Sequence, residues 1–126
     1  MRKPFDGINR VTQRWSAAHY GMDIVGDTDK IVRSVCAGIV RSSNMITNKK
    51  YPTWEWGNYV RVDDASGRQF YYCHLAKRLV SVPKRVSEGD ALGIMGNTGK
   101  SRGAHLHLQI RDKNGKELNV AEILEM

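Results

Sequence analysis

Residues 93–111 read GIMGNTGKSRGAHLHLQIR, a glycine-punctuated approach running into a segment that alternates as a β-strand does. Successive side chains of a strand point to opposite faces, so Ala104, Leu106 and Leu108 are expected toward a core while His105 and His107 share the other face. The two imidazoles then stand about 7 Å apart at their Cα atoms. At that separation both can lean toward one ion, or one can ligate while the other is left for acid–base work. Gly96, Gly99 and Gly103 are read as shaping the tight loop that delivers His105, with Asn97, Thr98 and Ser101 stabilising its turns or gripping substrate backbone. GNTGKS superficially suggests a phosphate loop, but Ile94 stands where the first glycine of G-x-x-x-x-G-K-[ST] belongs, so nucleotide binding is set aside.

Working outward, period-two and β-branched stretches dominate the chain: 31–35, 38–41, 58–62, 69–74, 91–95 and 105–111. Turn chemistry separates them, with Asp63, Asp64, Ser66 and Gly67 closing a hairpin, 87–90 a second turn and Asn114-Gly115 a third. Helical pattern is confined to one turn over 75–80 and a short closing helix at 119–124 capped by Asn119. The reading is an all-β fold, a single small antiparallel domain over 1–126 with little helix, in which 1–18 form an N-terminal arm. The least regular part, TNKKYPTWEW at 47–56, carries Tyr51, Trp54 and Trp56, which either wall a groove or fold back on the core. Lys49 and Lys50 read as solvated charge.

The remaining histidines fall in HYGMD (19–23) and YYCHL (71–75). His19 and Asp23 lie roughly 13 Å apart on a straight strand, so the chain must bend between them if both hold one metal. Gly21 supplies the place to bend. Two histidines and one carboxylate make three protein ligands, the set of a catalytic zinc site, whereas structural zinc takes four closed ligands. Alone, His19 or His74 reads as an ordinary polar residue; it is the conjunction of the three histidine motifs that points to a site. The cysteines, Cys36 and Cys73, lack C-x-x-C spacing and sit in apolar strand-like segments as small buried hydrophobes.

Twenty Lys and Arg against thirteen Asp and Glu give a formal charge of +7, a balance that favours polyanionic partners. No apolar run approaches the length of a membrane span. The basic start MRKPFDGINRVTQRW has no apolar segment after it, so no signal peptide is expected.

HYGMD, YYCHL and GIMGNTGKSRGAHLHLQIR, in that order, resemble the three motifs of the lysostaphin-like (M23, LytM-type) zinc endopeptidases, over about residues 19–111. The resemblance implies that His19, Asp23 and His107 bind one zinc ion, that His74 and His105 are catalytic, and that loops beside the sheet form a substrate groove. It also implies hydrolysis of peptides in bacterial peptidoglycan, at the cell wall, with anionic wall polymers as further partners and no nucleic acid. Without a signal peptide, the expectation is a phage-delivered lysin or a domain excised from a longer enzyme. Cys73 replaces the family's frequent alanine and Ala104 its usual proline; neither is a ligand position. The alternative from another class is a noncatalytic basic module that holds wall polymer or nucleic acid.

Overall fold

A computed structural model describes residues 1–126. The chain runs β1 (Asn9–Gln13), β2 (Met22–Gly26), β3 (Ile31–Arg33), β4 (Gly38–Asn44), a 3₁₀ turn (Trp54–Trp56), β5 (Asn58–Asp63), β6 (Gln69–Arg78), β7 (Lys84–Val86), β8 (Ala91–Met95), β9 (Leu106–Arg111), β10 (Glu117–Leu118) and α1 (Val120–Leu124). The main sheet has the order β1-β2-β9-β6-β5-β4-β7, with β10 on β9 and β8 between β3 and the far half of β6. Every pairing is antiparallel. No helix is long and apolar enough to cross a membrane.

The core lies on one face of this sheet. Met22, Ile24, Phe70, Tyr72, Leu106, Leu108 and Ile110 are solvent-inaccessible there, and α1 closes the cluster with Val120 and Leu124. The Asn119 carboxamide caps α1 by accepting from Ala121 N, satisfying one of the amides that a helix start leaves unpaired. Tyr72 reaches across the core to accept a hydrogen bond from Val35 N at 3.0 Å. A burial that apolar leaves no water to replace it.

The all-β antiparallel expectation holds, with local corrections. The helical turn expected at 75–80 is strand: β6 continues to Arg78 because it finds a second partner in β8. Ala104, expected toward the core, is exposed, since β9 begins only at Leu106. Residues 9–13 of the arm form β1, paired to β2. The hairpin turn follows directly on Asp63, the last residue of β5, and the turn at 87–90 and the Asn114-Gly115 turn lie between strands.

Candidate metal centre

Three central strands set the site by register. Asp23 of β2 pairs with His107 of β9, which pairs with Cys73 of β6, so these side chains form a row on the sheet face opposite the core. The neighbouring row, Met22, Leu108 and Tyr72, fills the core with no exposed surface. Alternation thus turns Asp23 and His107 to the working face at the same level. His19 arrives from outside the sheet, on a tight turn closed by a bridge in which Ser16 N donates to His19 O at 2.9 Å and His19 N to Ser16 O at 3.2 Å. The chain re-enters β2 through Gly21, at φ +90°, packed so closely on His107 that a Cβ there would stand 2.7 Å from the ring. Only glycine combines that φ with that approach.

His74 reaches the same face by breaking the alternation. Phe70 and Tyr72 point to the core, so an unbroken strand would send His74 there too; instead it is Leu75 that joins the core. The backbone at His74 has φ +64°, and β6 changes partner there, from β9 through Cys73 to β8 from Leu75. A strained residue at a strand's change of partner re-aims its side chain. The ring is then held by a 2.7 Å hydrogen bond from Nδ1 to the Thr98 carbonyl. Thr98 is itself fixed, its hydroxyl donating to Leu75 O at 2.8 Å and accepting from Asn58 N at 3.0 Å.

The structure brings His19, Asp23, His74, His105 and His107 together. His19 Nε2 lies 3.3 Å from Asp23 Oδ1, His107 Nδ1 lies 2.9 Å from the same oxygen, and His105 Nε2 lies 3.5 Å from Oδ2. The His74 and His105 rings are 4.8 Å apart at their centroids. Ligand atoms of His19, Asp23 and His107 all fall within 4.8 Å of one another. His19 Nε2 is also buried without a hydrogen-bond partner, a cost that a shared cation removes. These residues fit a metal bound at about 2.0–2.2 Å by nitrogen and oxygen. Burial pushes His74 down to about 4, so its imidazole is neutral at pH 7.

An open groove of about 690 Å³ runs over the site. Trp54 and Trp56 line it, whereas Tyr51 points away, half exposed. The 3₁₀ turn carrying the tryptophans is clasped to the 96–103 loop, Lys100 N donating to Glu55 O at 3.0 Å while Gly57 and Gly99 touch backbone to backbone. Trp56 packs on Tyr59 and Tyr71, and Lys49, exposed as expected, has its Nζ 5.4 Å over the Trp54 ring. Both cysteines are buried free thiols, as their apolar segments lead one to expect, and burial raises the Cys73 thiol well above its ordinary value. Two residues with a part in positioning the site's histidines are not singled out for it from sequence: Thr98, read as a turn residue with a part in gripping substrate backbone left open, and Gln109. Gln109 had one available signal, its place two residues beyond His107 on the same strand face.

The family model described as peptidase family M23 matches residues 17–120. Among relatives, the peptidoglycan DD-endopeptidase ShyA of Vibrio cholerae is 32% identical over 117 residues, 90% of this chain and 25% of that protein. The catalytic domain of the antimicrobial peptidase lysostaphin from Staphylococcus simulans aligns with TM-score 0.74 and 25% identity, covering 86% of this chain and 80% of that one. A zinc-containing peptidase from Vibrio cholerae, at 23% identity, shares the fold with TM-score 0.79 over 94% of this chain and 38% of its own. The chain spans 30%, 25% and 20% of the lengths of three curated relatives it matches.

Proposed function

The chain belongs to peptidase family M23, and from that premise we propose that it is a zinc-dependent endopeptidase cutting peptide bonds in bacterial peptidoglycan at the cell wall. One observation carries the reading: His19, Asp23 and His107 converge on the floor of an open groove, with two further imidazoles beside them. In this reading His19, Asp23 and His107 hold one zinc ion, and His74 and His105 are the acid–base groups. Bound zinc supplies Lewis acidity, polarising a peptide carbonyl and making water a stronger acid.

The chain's own residues manage the protons. His74 donates from Nδ1 to Thr98 O, which leaves the Nε2 lone pair free. His105 is held in the same way, Nδ1 against Gly103 O at 2.8 Å, with Nε2 turned inward toward Asp23. Either Nε2 can accept a proton from water and return it to the departing amine. Trp54 and Trp56 give a peptide an apolar wall, and the +7 charge draws the protein to anionic wall polymers.

The test pairs zinc content of the purified protein with release of new amino groups from purified peptidoglycan. We expect about one zinc per chain and chelator-sensitive release. Asp23→Ala and His107→Ala lose zinc and activity together, while His74→Ala and His105→Ala keep zinc and slow hydrolysis by about 10²- to 10⁴-fold. Stoichiometric zinc with intact activity in Asp23→Ala overturns the ligand set. Salt-sensitive binding without hydrolysis favours a noncatalytic module.

A further inference from the structure

Beyond His107 on the same strand face stands Gln109, a buried carboxamide whose partners lie on both sides. Its Oε1 is 2.8 Å from His107 Nε2, and its Nε2 is 2.9 and 3.0 Å from the two oxygens of Glu117. Glu117 is brought there by β10, which pairs Glu117 with Arg111 on the edge of β9. Arg111 Nε donates to Glu117 Oε2 at 2.6 Å, anchoring the carboxylate from the other side.

The direction of this chain follows from chemistry alone. An ionised carboxylate only accepts, so Gln109 must turn its amide N–H groups to Glu117 and its carbonyl oxygen to His107. A carbonyl oxygen in turn requires an N–H from His107 Nε2. The lone pair of the neutral ring is thereby forced onto Nδ1, the atom 2.9 Å from Asp23 Oδ1. Two acceptors that close, with no proton between them, are the arrangement of two ligands sharing one cation.

We propose that Gln109 and Glu117 are positioning residues that fix His107 as the Nε2–H tautomer and so present Nδ1 to the metal. The inference rests on the assignment of His107 as a ligand made above. It gives β10, a strand of two residues, a role in the site: it supplies the carboxylate that orients the carboxamide.

Zinc affinity, measured on the metal-free protein by competition with a chromophoric chelator, reads the effect without activity. Gln109→Met removes the acceptor at similar length and should weaken zinc binding by about 10- to 100-fold. The exchange Gln109→Glu with Glu117→Gln keeps an acceptor toward His107 and an amide beyond it, and should restore most of the affinity. Long-range ¹H–¹⁵N spectra of histidine-labelled protein should show the His107 proton on Nε2 in the wild type and in the exchange variant. Wild-type zinc affinity in Gln109→Met, or an Nδ1–H signature for wild-type His107, overturns the proposal. Affinity no better in the exchange variant than in Gln109→Met, with both folded by circular dichroism, also overturns it. His107→Ala separates the two levels: if it binds zinc as the wild type does, the ligand assignment itself fails, whereas its loss beside an unaffected Gln109→Met refutes the relay alone.

Discussion

Gly21→Ala tests how the chain turns from His19 into β2. At φ +90° an L-residue carries left-handed strain of about 1–2 kcal/mol. Its methyl would also meet His107 Cε1 and Nε2 at 2.7 Å and the Leu108 carbonyl oxygen at 2.8 Å. The carbonyl belongs to a central strand and cannot move away cheaply, so an overpacking cost of about 1–3 kcal/mol is added. The total is about 2–5 kcal/mol. With an unfolding entropy of about 2.1 cal/mol/K per residue, a chain of 126 residues loses about 4 °C of Tm for each kcal/mol. Calorimetry on the zinc-free protein should therefore show a fall of about 8–20 °C, and the displaced ring should weaken zinc binding in the chelator competition. Gly115→Ala is the matched control, because Gly115 has φ +85° but nothing within 4 Å of the added methyl. It should show the strain alone, about 4–8 °C, with zinc affinity unchanged. A Gly21→Ala protein that melts no lower than Gly115→Ala and binds zinc like the wild type refutes the argument.

Tyr72→Phe leaves the Val35 amide buried with no acceptor, so the urea-unfolding free energy should fall by about 1–3 kcal/mol; a change within error would mean water reaches that amide. Asp64 closes the β5–β6 turn, accepting from Ser66 Oγ and N and from Arg68 Nε and N. Burial raises its carboxyl, but those hydrogen bonds outweigh burial and leave it below its ordinary value. A carboxyl depressed on folding contributes its full stability above the unfolded value of about 3.9 and loses it as pH falls through the folded one. Asp64→Asn should therefore be less stable at pH 6 and show a shallower loss of stability below pH 4 than the wild type, in urea midpoints measured across that range. Parallel curves for the two proteins would contradict this.

How much was legible varied with the kind of interaction. β9 could be read because its alternation is local: Leu106, Leu108 and Ile110 on one face and His105, His107 on the other are a property of the chain itself. The Asn119 cap was legible for the same reason. β1 was not, because NRVTQ is an edge strand with little buried surface and exists by its ladder to β2. The extension of β6 through Arg78 reads as a helical turn in sequence because its second partner, β8, lies fifteen to twenty residues away.

The sequence by itself determined the chemistry that is available: which residues can ligate or carry protons, where the chain can bend, and the antiparallel all-β class. Tertiary structure decided how those groups meet. Strict alternation would have turned His74 into the apolar core, and only the positive φ where β6 changes partner turns it to His105. The row Asp23–His107 and the contact of Gln109 with Glu117 come from strand register, which a slip of one residue would invert. Register is set by which side chains the shared core accepts, a condition on all the strands at once that no single stretch of the chain contains.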